Sequence, residues 1–418
     1  MNGTIIKMAF RNLQKNPRRT LITLLGIAFG VMISILFTGL QDATWKETIN
    51  TAAELGAGHV TVQHRDYMDE PSVANRINVT DALQKGLNTD SRILRIRPRV
   101  VSQAMVATAA QSAGAIVFGI RPGIDTPKDM RILRGEFQGH PLTAGDARGI
   151  VIGEELAKRL QVKVGQKLVY TLTDVNGEIV SALGRVRGIL TTGSRQLDET
   201  LCLVEMNALR QLIGYAPGEV TQLAVFLEDY RDSAQVATAL QERMQRRRTV
   251  RVLPWQTINA DLAGLVETKM ASAKIFEMLI LFLVAAGIFN TLYVSVMERM
   301  REFGILNAIG FSRARIFALV VWESVFTAAG GLILALLVTA WPYYYYMYTT
   351  GIDLAAMAAN GKEISVNGIA MTTIIHVNIY IEKLLGIFVV ATCATLLAGL
   401  YPAWCAQKVS PVDSIKLV

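Results

Sequence analysis

Uncharged apolar runs divide the chain into long greasy segments separated by polar stretches. The first, Thr20 to Leu40, has 21 residues and no ionisable side chain. As an α-helix it would be about 31 Å long, enough for a hydrocarbon core of about 30 Å. Similar runs cover Met278 to Met297, Ile316 to Trp341 (interrupted only by Glu323) and Leu384 to Gln407. Four spans are predicted, over residues 20–40, 271–297, 313–346 and 382–404. Ahead of the first, Ile5, Ala9 and Leu13 recur every four residues with Ile6 and Phe10 beside them, while Lys7, Arg11 and Lys15 take another face. Residues 1–19 therefore read as a short amphipathic interfacial helix that Pro17 interrupts. A signal peptide would have a shorter apolar core, about 7–15 residues, and a small-x-small cleavage site, so the first span is read as a retained anchor.

Residues 41–270 form a large insertion between the first two spans, enough for one or two domains. Short β-branched or apolar runs predict strands over Val60 to Gln63, Arg99 to Ala107, Ile116 to Ile120, Lys167 to Leu172 and Leu201 to Val204. Gly153 to Leu160 and Ala234 to Arg247 predict helices. The expected fold class is an α-helical membrane protein with four transmembrane helices and a large α+β domain between helices 1 and 2. Asp174 to Glu178 reads as a hairpin tip, with Asn176-Gly177 accommodating positive φ.

Composition agrees: 51% hydrophobic and 18% charged residues with a mean hydropathy of +0.34 exclude a wholly soluble protein. The net charge of +8 could suggest a nucleic-acid partner, but the insertion is nearly balanced, 28 Lys+Arg against 26 Asp+Glu. The excess lies beside the spans. Lys7, Arg11, Lys15, Arg18, Arg19, Arg299, Arg301, Arg313, Arg315, Lys408 and Lys416 face only Glu298, Glu302 and Asp413, all on one side of a four-span chain. Both termini are expected in the cytoplasm, and no nucleic-acid surface remains. Within the insertion, Arg92, Arg95, Arg97 and Arg99, and the Arg246 to Arg248 run, read as solvated faces.

Candidate chemistry is sparse. Cys202, Cys393 and Cys405 form no CxxC pair, and no P-loop or G-x-S-x-G occurs. His59, His64, His140 and His376 never take the i, i+4 spacing of a metalloprotease pair. No catalytic residue, metal or cofactor is expected on this chain. Glu277 and Glu323 lie near span ends and are read as reaching toward the interface, with Glu323 placed to brace the loop before it.

That loop, residues 298–312, is the most informative stretch. Its charged start can pair Glu298 with Arg301 or Arg299, while Phe303, Ile305, Leu306 and Ile309 make an apolar surface too large for a plain linker. A cytoplasmic partner is implied, with Gly310 stopping the helix and Ser312 starting the next. Trp341 and Tyr343 to Tyr346 with Tyr348 read as an interfacial aromatic belt before an outer loop over 347–381. Gly26 and Gly30 have the spacing of a close helix pair and suggest a dimerisation contact.

These residues resemble the MacB/FtsX-type (type VII) permeases of ABC transporters, nearest the lipoprotein-releasing LolC/LolE-like branch. Met8-Ala9-Phe10-Arg11-Asn12-Leu13 resembles the family's N-terminal signature. Glu298-Arg299-x-Arg301-Glu302-x-Gly304-Ile305-Leu306-x-Ala308-Ile309-Gly310 resembles its cytoplasmic loop, departing at Phe303 and Asn307. Gly399 to Ala403 and Ser410 to Ser414, in the tail over 405–418, resemble its C-terminal end. In the insertion, Gly119 to Pro122, Val151 to Gly153 and Gly188 to Gly193 with Asp198-Glu199 are similar to the family's periplasmic core. The resemblance implies an ATPase-coupling role for Glu298, Arg299, Arg301, Glu302, Gly304, Ile305, Leu306, Ala308, Ile309 and Gly310. It also implies two cytoplasmic ATPase subunits carrying the ATP and Mg²⁺, a second permease, identical or homologous, and a periplasmic adaptor or chaperone in some assemblies. The expected function is that of an inner-membrane permease coupling ATP hydrolysis to periplasmic movement by mechanotransmission, extracting or exporting a lipoprotein or other amphipathic substrate. The alternative is an FtsX-like permease that activates a periplasmic cell-wall hydrolase; a membrane-anchored receptor or enzyme comes third.

Overall fold

The computed structural model describes residues 2–15, 17–79, 90–126, 130–244, 248–349, 351–353, 365–366, 369–370 and 374–408. The end of the helix expected up to Arg247, most of the Arg246 to Arg248 run and the Ser410 to Ser414 motif lie outside these residues. The principal helices are α1 (Asn2–Lys15), α2 (Pro17–Leu55), α3 (Glu154–Leu160), α4 (Met206–Ile213), α5 (Ser233–Arg243), α6 (Ala260–Glu298), α7 (Met300–Ala308), α8 (Arg313–Tyr348) and α9 (Ile381–Gln407). The chain divides into two compact units, Met1–Thr44 with Glu267–Asp353 and Ile374–Val418, and Trp45–Val266 with Leu354–Thr373.

In the first unit, α2, α6, α8 and α9 are long and apolar enough to cross a membrane. Their shared core joins Ile27, Val31 and Ile35 to Leu281, Ile288, Ala335, Ile387 and Ala391. Small residues let the helices approach: a Cβ on Gly331 would meet Ile27, and one on Gly399 would meet Ser324. Outward positions such as Phe282, Leu283, Leu337 and Leu397 are apolar and exposed, as a lipid solvent requires. A second cluster packs Ala9 of α1 with Val296, Ile316, Val320 and Ala403. The amphipathic pattern of α1 is thus realised, with Lys7, Arg11 and Lys15 exposed. Away from that cluster, Asp42 of α2 pairs with Lys383 of α9.

The second unit is the α+β insertion. Its main strands are β1 (Val60–His64), β2 (Ile77–Asn78), β3 (Ile93–Ala107), β4 (Ser112–Ile120), β5 (Glu136–Gly139), β6 (Gly149–Gly153), β7 (Lys167–Thr173), β8 (Ile179–Thr191), β9 (Leu201–Glu205), β10 (Glu219–Val220), β11 (Gln222–Leu227) and β12 (Val250–Pro254). The sheet order among described residues is β12-β1-β11-β3-β4-β9-β6-β8-β5, and β7 pairs with both β3 and β8. The pairings β3-β4-β9-β6-β8-β7 return to β3, so six strands close a ring. Alternate side chains fill it: Val106, Val117, Ile150, Leu168, Tyr170, Val186 and Val204 are buried. β4 with β9 and β6 with β8 are parallel.

Every strand expected from sequence forms, β3 starting six residues earlier than expected. At the 174–178 tip only Gly177 has positive φ, at 85°. The Asp174 carboxylate instead accepts the backbone N–H groups of Asn176 and Glu178, at 2.8 and 2.9 Å, leaving Asn176 no need of that conformation.

The arginine series departs from the solvated face expected of it. Arg95 lies over the Phe226 ring and pairs with Glu54. Arg99 is buried, with Nη1 3.0 Å from Met130 Sδ, and burial lowers its pKa to about 10. Alternation along β3 turns Arg99 inward, where neighbouring Asp125 offsets part of the desolvation cost.

His59 is buried where its Nδ1 accepts from the backbone N–H of Leu227 (3.0 Å) and its Nε2 lies 2.9 Å from Asn50 Oδ1. Burial, helped by Arg95, lowers its pKa from 6.5 to about 4, so the ring is neutral at pH 7. The folded state then binds fewer protons than the unfolded one. Stability present above pH 6.5 is lost as pH falls through about 4, by on the order of 3 kcal/mol. His59→Gln should flatten that slope in chemical denaturation between pH 7 and 4; an unchanged slope would refute it.

Candidate functional site

The sequence between α6 and α8 folds as the short helix α7, closed by a glycine. Gly310 has φ 100°, its N–H donates to Asn307 O, and the N–H of Phe311 donates to Leu306 O. This is the left-handed stop that only glycine adopts without strain. Ser312 stands at the N-cap of α8, but its hydroxyl makes no capping bond.

Helical spacing gives α7 two faces. Phe303 and Gly304 are buried, Phe303 fully, among Val296, Ile316, Leu319 and Ala403. Arg301, Glu302, Ile305, Ala308 and Ile309 are exposed, Ile305 by 51% and Ile309 by 75%, and exposed Gly310 follows them. The apolar surface expected from four residues is therefore divided: Phe303 anchors the helix, Leu306 is half-buried, and Ile305 and Ile309 are offered outward.

Charged groups fix this helix. Arg299 Nη1 donates to both carboxylate oxygens of Glu323, at 3.0 and 3.1 Å, and its Nε donates to Glu302 at 3.2 Å. Asn12 of α1 donates to Glu323 Oε1 at 2.6 Å, and the guanidinium of Arg299 lies over the Phe303 ring. Glu323 is buried, 5% exposed, rather than reaching the interface, because two donors from other elements meet it in the core. It does brace the loop, as expected.

Glu298 is the other correction. It pairs not with Arg301 or Arg299 but with Arg19 of α2, at 2.6 Å, while Arg19 also donates to Thr291 O at 2.6 Å. The helix ends at Glu298, so its side chain leaves the turn that would have carried a local pair. Asn12 and Arg19 were not singled out for this site. The signal for Asn12 was a polar residue three and four places beyond Ala9 and Met8, on the apolar stripe of α1, which demands a buried partner.

The structure separates Gly26 from Gly30. Gly30 packs on Val284 within this chain, its Cβ position 2.1 Å from a Val284 methyl, whereas Gly26 is exposed with nothing within 4 Å. The close approach that the spacing encodes is used at Gly30 by the chain's own α6.

Two family models match this architecture. The MacB-like periplasmic core domain matches residues 20–243, more than half the chain, and the FtsX-like permease C-terminal domain matches residues 274–411. The chain belongs to the MacB/FtsX-like family of ABC transporter permeases. Family relatives include the macrolide export ATP-binding/permease protein MacB of Sodalis glossinidius, 21% identical over 416 residues, 98% of this chain and 60% of that protein. The lipoprotein-releasing system transmembrane protein LolE of Haemophilus influenzae is 23% identical over 425 residues, 96% of each chain. This chain thus spans about three-fifths of that MacB and nearly all of that LolE. Among solved structures of the family, the periplasmic region of MacB from Actinobacillus actinomycetemcomitans aligns with a TM-score of 0.34 and 16% identity, over 50% of this chain and 94% of that one. The family assignment accounts for four apolar helices with a mixed-sheet domain between the first and second, and makes the chain a membrane component of an ABC transporter.

Proposed function

We propose that the chain is an inner-membrane permease, both termini cytoplasmic, that converts ATP hydrolysis on a partner ATPase into movement of its inserted domain. The carrying observation is the two-faced α7. One side is locked into the spans by Phe303 and the Arg299–Glu323 pair, and the other presents Ile305 and Ile309 between Arg301 and Glu302. An exposed pair of isoleucines rimmed by both charges suits a groove in a second protein. Two ATPase subunits and a second permease complete the assembly, and ATP with Mg²⁺ belongs to the ATPases.

The route for the motion is supported by α2 and α6, each continuous for 39 residues from apolar span into the insertion's sequence. Intact helices transmit a push because bending them breaks backbone hydrogen bonds. The cargo we infer is a lipoprotein or other amphipathic molecule, since the LolE relative matches over nearly its full length and its printed name is lipoprotein-releasing.

Glu302→Arg combined with Ile305→Asp, both at exposed positions, should abolish co-purification with the ATPase and leave thermal unfolding within about 0.5 kcal/mol of the parent. Undiminished co-purification by the folded variant would sink the reading.

A further inference from the structure

A cavity of about 630 Å³ opens between the start of α2 and the end of α6, lined among others by Arg18, Arg19, Asn290, Val294 and Glu298. Arg19 and Glu298 neutralise each other there. Arg18 is exposed and pairs with no carboxylate among the described residues, so the cavity keeps one positive charge. Asn290 lies eight residues inside α6, about 12 Å from Glu298 along the axis, exposed on a span and without a hydrogen bond to any described residue. An amide facing hydrocarbon in that state is costly and calls for a polar group from outside the chain.

The surface beyond the cavity is apolar and notched. From Arg18, the same side of α2 carries Ile22, Leu25 and Phe29, all exposed, over about 16 Å, close to half a hydrocarbon core. Beside them Gly26 on α2 and Gly287 on α6 have nothing within 4 Å of a Cβ position. A lone cation, a deeper amide and an apolar channel one leaflet long match, in order, the phosphate, the ester region and the acyl chain of a lipid.

We propose that this furrow seats one anionic phospholipid from the leaflet on the side of α1. Arg18 holds its phosphate, Asn290 donates to its ester oxygens, and a chain lies along Ile22, Leu25 and Phe29 over Gly26 and Gly287. The net charge favours this occupant over a second copy of the chain, because a two-fold contact here would bring like charges together. The inference stands apart from the transport reading, since it needs only a membrane around the spans.

Native mass spectrometry of the full chain in detergent, with added phosphatidylglycerol, phosphatidylcholine or inorganic phosphate, tests it. One retained phosphatidylglycerol is expected, held about tenfold better than phosphatidylcholine and not displaced by inorganic phosphate. Arg18→Glu and Gly287→Leu should each cut its retention about tenfold, with unchanged thermal unfolding because neither site is packed. Equal retention of the two lipids, displacement by phosphate, or wild-type retention in either variant would overturn it. So would loss of a dimer in Gly287→Leu with lipid retention intact, which would assign the furrow to a second copy.

Discussion

Glu323→Leu is expected to destabilise the detergent-solubilised chain by about 3–5 kcal/mol, and Arg299→Met added to it should restore most of the loss. The single change leaves the Arg299 guanidinium, only 14% exposed, without the carboxylate that accepts two of its contacts, and leaves the Asn12 amide without its acceptor. Glu302 and the Phe303 ring remain, but Glu302 is half-exposed and screened. Removing both charges deletes the buried ion rather than stranding it. A double-mutant cycle by thermal unfolding measures the difference. If the double variant is no more stable than Glu323→Leu, the network is not the brace we describe. In the assembled transporter the same single variant should weaken the grip of α7 on α8, lowering substrate-stimulated ATP hydrolysis while ATPase binding through Ile305 and Ile309 persists.

The second large effect lies in the insertion. Gly153→Ala should cost about 3 kcal/mol or more, because a Cβ there would stand 2.3 Å from the carbonyl oxygen of Asp198 and 2.6 Å from its Cα. Both are main-chain atoms, so no rotamer change relieves the clash. Gly153 also ends β6 and caps α3, whose Leu156, Ala157 and Leu160 are buried. Gly114→Ala, on β4 with nothing within 4 Å, serves as the control and should stay within about 0.5 kcal/mol. Limited proteolysis and denaturant unfolding of the full chain compare them. Equal behaviour of the two variants would mean the close packing at Gly153 is not rigid.

Local physics made much of this legible in the sequence. A span announces itself because lipid excludes charge over a fixed length, and α7 announces its end because Gly310 takes a φ that other residues avoid. Strands such as β6, β7 and β9 follow from short apolar runs, and the family's loop motif located α7 itself. Partners far apart in the chain were not legible. Asn12 with Glu323, Arg19 with Glu298 and Asp42 with Lys383 are separated by 311, 279 and 341 residues, and nothing local distinguishes those charges from solvated ones. The same limit hid the burial of Arg99, which depends on which face of β3 is covered. Closure of the strand ring was also out of reach, since the parallel pairing of β4 with β9 joins segments about 80 residues apart.

The fifteen residues of β3 change neighbours midway. Ile93 to Arg99 bond to β11, and Val100 to Ala107 bond to β4, with β7 joining at Met105. A single ribbon is thus common property of the open sheet and the ring, so neither half can melt while the other keeps its full ladder. Heating or denaturant should consequently take the whole insertion in one sharp transition, with deuterium uptake along both ends of that ribbon rising at the same point.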